Sequence, residues 1–215
     1  MTDVVEQAPV RAPGRTARPA VDQVTARRSE LAAAALKTLS ELGYARTSLR
    51  EIAQNSEFSH GVLHYYFRDK VDLITYCVRE YKAQCVTRYD TVVATASTPA
   101  DLAAGFLAKL GETLVDDATL HRLWYDLRTQ SMFEPTFSAD VAAIDLSLER
   151  MIWRIVTRYA ELTGTTPQLS SATMYAVFDG LFQQALLRQL AGDPAAADDL
   201  RAAVGRLLPQ LLRPA

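Results

Sequence analysis

Residues 47–73 read TSLREIAQNSEFSHGVLHYYFRDKVDL and contain three helix-start signals in quick succession. Ser48 and Glu51 form an S-x-x-E capping box, Ser59 precedes a second segment, and Asp69 precedes a third. The spacing of these signals predicts two very short helices followed by a long one. This is the arrangement of a helix-turn-helix, a motif that binds DNA.

The middle helix of this motif, from His60 to about Tyr66, is too short to be stable alone. We expect Phe58, Leu63 and Phe67 to hold it against its neighbours, which leaves its other face free. A helix-turn-helix places the N-terminal part of its second helix in the major groove, so that face is predicted to read base edges. The residues predicted to bind DNA from this helix and its cap are Ser59, His60, Gly61, Val62, His64 and Tyr65.

Residues at the ends of the short helices are expected to hold the DNA backbone, because hydroxyl groups, amines and helix N-termini donate to phosphate oxygens. Arg50 lies in the first turn of its helix and is expected to reach a phosphate or a guanine. The predicted phosphate contacts are Thr47, Ser48, Tyr66 and Lys70.

Beyond this motif the sequence predicts an all-α fold, since apolar residues recur at intervals of three and four. Gly43 is expected to end the first helix, and each of the pairs Thr98-Pro99, Thr166-Pro167 and Asp193-Pro194 is expected to start one. The sequence therefore predicts nine helices. Apart from the two short ones, they span about 22–42, 69–95, 99–113, 117–134, 138–162, 167–191 and 194–208. The predicted organisation is a flexible basic arm over 1–21, a helix-turn-helix domain over 22–70 and a larger helical domain for ligand binding and dimerisation over 71–215.

The sequence resembles the tetracycline-repressor (TetR) family of bacterial regulators over residues 25–75. The resemblance is carried by Gly43-Tyr44, Thr47-Ser48, Ile52-Ala53, Ser59-His60-Gly61, Leu63-His64-Tyr65-Tyr66-Phe67, Lys70 and Leu73. It implies nine or so helices, dimerisation through the last two long helices, and a ligand cavity in the larger domain. It also implies that Ser48, Tyr66 and Lys70 hold phosphates, and that the residues facing the groove are Arg50, His60, Gly61, Val62, His64 and Tyr65. This chain departs from the family pattern at His64, where Tyr is usual, and at Ser56-Glu57, where the turn usually has Gly.

Composition and charge limit the possible functions. The net charge is −2; residues 1–90 contain 13 Lys/Arg and 11 Asp/Glu, and the remaining residues contain 10 and 14, so any nucleic-acid surface is expected in the first half. We find no stretch long and apolar enough for a membrane span and no secretory signal, which predicts a cytoplasmic protein without a membrane partner. Buried thiols are expected at Cys77 and Cys85, and a redox role for them stays open.

No cofactor and no metal site are expected. His60 and His64 are four residues apart, as in some metal sites, but no carboxylate or thiol joins them at ligand spacing. The absence of a glycine-rich phosphate loop and of a catalytic triad pattern argues against an enzyme.

The larger domain is expected to hold a small apolar or aromatic effector. Aromatic residues concentrate between Leu120 and Phe137, and aromatic side chains around a few polar groups are typical of ligand cavities. Ordinary core packing explains any one of these residues equally well. The residues predicted to line the cavity are Phe106, His121, Trp124, Tyr125, Arg128, Met132, Trp153 and Phe178.

The helix predicted over 167–191 is apolar on more than one side and therefore needs two partners. We expect one side to pack on its own domain and the other on the same helix of a second subunit, with interface residues Met174, Phe178, Gly180, Leu181 and Ala185. A homodimer places two reading helices about 34 to 36 Å apart and predicts an inverted-repeat operator in double-stranded DNA. The resulting hypothesis is a repressor released by its ligand; an activator or a ligand-independent regulator is the alternative.

Overall fold

A computed structural model describes the backbone of residues 18–214 and the side chains of residues 23–214. The described chain is almost entirely helical. Its α-helices are α1 (Arg18–Arg46), α2 (Leu49–Gln54), α3 (His60–Tyr66), α4 (Lys70–Thr87), α5 (Asp90–Thr95), α6 (Pro99–Asp116), α7 (Ala118–Gln130), α8 (Ser138–Thr163), α9 (Ser171–Leu190) and α10 (Ala196–Leu207). Single 3-10 turns follow at Pro135–Phe137 and Leu208–Leu211.

The all-α prediction is confirmed, and the three helix starts in residues 47–73 lie where the sequence places them. Ser48 and Glu51 form the reciprocal capping box of α2, and the Ser59 hydroxyl accepts a hydrogen bond from the Val62 amide at the start of α3. The Asp69 carboxylate accepts from the Asp72 amide at the start of α4. Each of these contacts satisfies an amide that the helix itself leaves without a partner.

Other predicted boundaries are wrong. The predicted helix over 69–95 is interrupted at Arg88–Tyr89 and becomes α4 and α5. The buried Tyr89 ring packs edge-on against Phe106, with 5.4 Å between ring centroids, and the Arg88 guanidinium binds the Asp117 carboxylate at 2.6 Å. These contacts turn the chain where the sequence has neither Gly nor Pro.

The Thr166-Pro167 pair does not start a helix. It lies in a short strand, β1 (Thr165–Pro167), which pairs antiparallel with β2 (Leu212–Pro214). Helix α9 begins later, with Ser170 as its cap, and α10 begins at Ala196, two residues after the predicted start. The first difference arises because pairing with a distant part of the chain overrides a local signal. At the second, the Asp193 carboxylate does accept from the Ala195 amide, but the regular helix starts one residue after that.

The first helix starts earlier than predicted, because residues 18–21 belong to α1; the rest of the predicted arm lies outside the described residues. Gly43 has φ 76° and ψ 173°, so it breaks the helical path near the predicted end, and a short helical segment continues to Arg46. Helices α1, α2, α3 and the start of α4 share buried side chains, among them Leu31, Leu39 and Ile52.

The larger part of the fold consists of α4–α10. Helix α9 packs on α8 and α10, and α7 packs on both α9 and α1. Helix α7 therefore connects the helix-turn-helix to the rest of the protein. No helix within residues 18–214 combines the length and apolar character that crossing a bilayer requires.

Candidate DNA interface and ligand cavity

Helix α3 is held from one side only. Leu63 has no exposed surface and Phe67 is 1% exposed, whereas His60, Gly61, His64 and Tyr65 are exposed. Tyr65 is 81% exposed, which is unusual for so large a ring. The helix thus presents a polar and aromatic face to the surroundings.

The exposed side chains of α3 lie against one another. The rings of His60 and His64 meet edge-on with centroids 4.4 Å apart, and those of Tyr65 and Tyr66 meet at 4.9 Å. Among the described residues, no further His, Cys, Asp or Glu joins the two histidines in a group that could hold a metal. The face therefore offers ring nitrogens and phenol groups to an external partner.

Gly61 stands in open space within its own chain. A Cβ built on this residue would find only the Ser59 hydroxyl oxygen, at 4.0 Å. The backbone is helical there, so neither packing nor conformation inside the chain requires glycine.

The predicted phosphate-binding residues differ in accessibility. Ser48 and Arg50 are exposed, and Tyr66 is half-buried. The half-buried Lys70 ammonium lies 4.1 Å from the centre of the Tyr44 ring, and burial lowers its pKa.

The side chain of Thr47 does not lie where it could contact a phosphate. It is 2% exposed, and its hydroxyl donates to the Gly43 carbonyl oxygen at 2.7 Å. That contact closes the kink after Gly43, so the predicted DNA role of the Thr47 side chain is corrected to a structural one.

A cavity lies between α4, α6, α7, α8 and α9. Four of the residues predicted to line it do so: His121, Trp124, Tyr125 and Phe178. Its wall is mostly apolar and aromatic, as is usual for small-molecule sites.

The other four predicted residues do not line this cavity. Phe106 lies behind it and packs on Phe178, with 6.0 Å between ring centroids. Arg128 binds the Asp179 and Asp145 carboxylates at 2.5 and 3.3 Å. Met132 is 73% exposed in the turn after α7, and Trp153 packs at the edge of the core. The sequence shows the aromatic cluster but not the direction in which each ring points.

The polar groups of the cavity come mostly from residues outside the predicted set. Lys82, 3% exposed, lines it from α4, together with Cys85 and Arg88. The Lys82 Nζ is 3.1 Å from His121 Nδ1, and the Tyr81 hydroxyl is 3.1 Å from His121 Nε2. Burial, followed by the nearby charges of Lys82 and Arg88, lowers the pKa of His121 well below its ordinary value, so this imidazole is neutral.

Helix α7 connects the cavity to the helix-turn-helix. On one side it carries His121, Trp124 and Tyr125. On the other, Arg122 Nη2 donates to the Ser40 carbonyl at 2.6 Å, and the Asp126 carboxylate accepts from the Tyr44 amide at 2.7 Å. The two contacts bind the backbone on either side of the kink in α1.

The predicted dimer-interface residues of α9 lie mostly inside the chain. Met174, Phe178 and Ala185 are 0%, 5% and 6% exposed, and they pack in the core of the same subunit. This part of the prediction is corrected, because the apolar stripe they form faces the protein's own domain. Gly180 and Leu181 are half-buried, and no atom lies within 4 Å of a Cβ built on Gly180.

Comparison with known proteins agrees with this geometry. Residues 31–77 match the family model described as "Bacterial regulatory proteins, tetR family". The chain is similar to the HTH-type transcriptional regulator BetI of Burkholderia mallei, with 28% identity over 200 residues that cover 87% of this chain and 94% of the relative.

Solved structures show the same fold. The regulator FadR of Bacillus subtilis, solved with stearoyl-CoA, superposes with a TM-score of 0.69 at 18% identity, covering 84% of this chain and 96% of the other. A putative transcriptional regulator of Saccharomonospora viridis, solved with choline, gives 0.68 at 15% identity, covering 87% and 98%. At this identity the superpositions establish the architecture alone.

Proposed function

Because the chain belongs to the tetR family of bacterial regulatory proteins and is a transcriptional regulator, we propose that it represses its target genes as a homodimer bound to an inverted-repeat operator. In this proposal a small molecule in the cavity releases it from the DNA, and it acts in the cytoplasm. The observation that carries the proposal is the exposed face of α3, which Leu63 and Phe67 fix in place while its polar residues stay uncovered.

Sequence readout falls to α3 in this proposal. His60, Gly61, Val62, His64 and Tyr65 lie against the bases of the major groove, and the Ser59 cap fixes the angle at which the helix enters. Imidazole nitrogens and the Tyr hydroxyl can both donate and accept hydrogen bonds, which suits base edges.

Gly61 supports this placement. Alanine is the better helix former by about 1 kcal/mol, and the chain itself has room for a methyl group here. A glycine at this position is explained if a base pair approaches the helix backbone closely.

Ser48, Arg50, Tyr66 and Lys70 are proposed to hold phosphates on either side of the groove. Ser48 keeps its hydroxyl proton available, because its oxygen accepts from the Glu51 amide. Lys70 begins α4, where the helix dipole adds to its attraction for an anion.

We place the dimer contact on the side of α9 opposite its buried stripe. Helical spacing puts Ala176, Gly180 and Leu187 there, and Leu187 is 58% exposed. Small residues allow two such helices to approach closely across a two-fold axis.

Ala176→Arg is expected to give a monomer in analytical ultracentrifugation, whereas Ala142→Arg on the exposed side of α8 should leave the dimer intact. A dimeric Ala176→Arg variant would contradict this placement.

Release is proposed to pass through α7. A ligand that contacts Trp124 and Tyr125 shifts this helix, and the contacts of Arg122 and Asp126 transmit the shift to the kinked end of α1. Such a ligand lowers DNA affinity only if it prefers the geometry that does not bind DNA.

Substitution of Gly61 tests the DNA role. We expect Gly61→Ala to unfold at an equal or higher urea concentration than the wild type, and yet to bind at least tenfold more weakly to the operator that genome-wide binding identifies. The opposite directions of the two effects separate DNA contact from folding. The proposal is contradicted if the wild type binds no DNA site selectively, or if Gly61→Ala binds the operator as tightly as the wild type.

A further inference from the structure

The cavity contains one buried amine among mostly apolar and aromatic residues, and the other two charged residues of its wall, Arg88 and Asp179, are each paired within the chain. Lys82 reaches it from the middle of α4 and is 3% exposed. Leu148, Met151 and Ile152 of α8 and Phe178 of α9 are among the apolar residues of its wall. A lysine is rarely buried to this extent unless it has an anionic partner.

The contacts of Lys82 within the chain leave most of its hydrogen-bonding capacity unused. An ammonium group has three N–H donors, and the one hydrogen bond recorded for Lys82 within residues 23–214 goes to His121 Nδ1. Since His121 is neutral, this contact fixes its proton on Nε2, facing the Tyr81 oxygen 3.1 Å away. His121 therefore holds the amine in place without neutralising its charge.

The carboxylates near the cavity are already bound to other cations. Asp179 accepts from Arg128 at 2.5 Å and from the Tyr125 hydroxyl at 2.9 Å. Asp117 binds Arg88 at 2.6 Å. Across the described part of the chain, no carboxylate oxygen lies within 4.0 Å of the Lys82 ammonium.

We propose that Lys82 binds the carboxylate of the effector, which is a monocarboxylic acid whose apolar body lies between α8 and α9 against Phe178 and Met151. This inference rests on the proposed function, since it names the chemical class of the releasing ligand. A single carboxylate matches a single ammonium, whereas a phosphate dianion would leave one buried charge without compensation.

A cationic ligand is disfavoured by the same geometry. The Lys82 Nζ lies 5.4 Å from the centre of the Trp124 ring and 5.3 Å from that of Tyr81, so the ammonium already occupies the aromatic surroundings that a quaternary ammonium group would use. Two cations in this small space would repel each other.

The test measures ligand binding to the full chain without DNA, by isothermal titration calorimetry. The probes are the straight-chain carboxylates from butanoate to dodecanoate, and for one chain length the matched set octanoate, 1-octanol and octyltrimethylammonium. We expect at least one carboxylate of the series to bind, and octanoate to bind at least tenfold more tightly than 1-octanol. Octyltrimethylammonium should bind more weakly than both.

Three variants assign the effect to Lys82. Lys82→Met and Lys82→Gln are expected to lose at least tenfold in carboxylate affinity and to keep the 1-octanol affinity. Lys109→Met, a matched change at a lysine of α6 that does not line the cavity, should behave as the wild type. The proposal is overturned if no carboxylate binds, if both Lys82 variants bind octanoate as the wild type does, or if octyltrimethylammonium binds as tightly as octanoate. The two proposals can fail separately. If the protein binds carboxylates through Lys82 but does not bind DNA, the proposed function is refuted and the carboxylate site is confirmed.

Discussion

Replacing Lys82 by Met is expected to stabilise the protein in the absence of ligand. The methionine side chain has a similar length and carries no charge, so it fills the same space against Trp124 without the cost of burying an ammonium. A residue retained at a cost in stability is typical of a functional site.

The magnitude follows from the pKa of Lys82, which burial, as the largest cause, lowers from the ordinary value of 10.5 to about 8. At about 1.4 kcal/mol for each pKa unit, charged Lys82 destabilises the fold by roughly 3 kcal/mol at neutral pH. Loss of its hydrogen bond leaves His121 Nδ1 without a donor, which costs about 1 kcal/mol. The variant should therefore be more stable by about 2 kcal/mol at pH 7.

The pH dependence has a definite sign. Below pH 8 both the folded and the unfolded chain keep the Lys82 proton, and the cost is fully present. Between about pH 8 and 10.5 the folded protein releases this proton first, so the contribution of Lys82 to stability rises with pH and the advantage of Lys82→Met shrinks. The titratable and charged groups that surround the amine are Tyr81, Cys85, Arg88, Asp117, His121 and Asp179, and all remain in both proteins.

The assay is urea unfolding of wild type, Lys82→Met and Lys109→Met at pH 7 and pH 9.5, at one protein concentration because dimerisation adds to the measured stability. We expect the free energy of unfolding of Lys109→Met to differ little from that of the wild type at either pH. A Lys82→Met protein less stable than the wild type at pH 7, or an advantage that is the same at both pH values, would refute this reasoning.

Three other substitutions test separate parts of the account. Lys70→Ala should weaken binding to every DNA sequence and reduce the slope of log affinity against log salt by about 1 per subunit, and an unchanged slope would exclude a phosphate contact. Asp126→Asn should leave octanoate binding within about threefold of the wild type but reduce the ligand's effect on DNA affinity, since Tyr44 loses a charged acceptor; full release in a DNA-binding assay would exclude this route. Leu63→Ala should lower the free energy of unfolding in urea by about 3 kcal/mol or more, because Leu63 is fully buried, and a loss under about 1 kcal/mol would show that other residues hold α3.

The helix-turn-helix could be predicted from the sequence because its signals are local. Ser48, Ser59 and Asp69 each bind an amide only three residues further on, so the pattern in the sequence and the contact in the structure are the same. Thr166-Pro167 shows the limit of such signals, because its pairing with residues 212–214 is invisible to a local pattern.

The cavity was predicted only in part. The aromatic cluster is visible in the sequence, but Tyr125 points inward because α7 packs on α9, where its hydroxyl donates to Asp179. Met132 is exposed because α7 ends before it, at Gln130. Lys82 did carry a signal. Val78, Lys82, Cys85 and Tyr89 follow helical spacing on one buried side, so a lysine interrupts an otherwise apolar stripe.

The interface on α9 could not be assigned from the sequence because the helix has apolar residues on both sides. Met174 and Leu187 are similar in hydrophobicity, yet one is fully buried and the other largely exposed. Packing on α8 and α10 determines which side of α9 is buried. The sequence of α9 alone does not contain this information.

The most direct test of the central claim is selection of DNA from a random pool by the full chain, followed by sequencing of the bound fraction. We expect an inverted repeat in the selected DNA, and a change of base preference within each half-site when His64 is replaced by Ala. Selected DNA without a symmetric motif, or an identical motif for wild type, His64→Ala and Tyr65→Ala, would contradict the assignment of α3 as the helix that reads DNA.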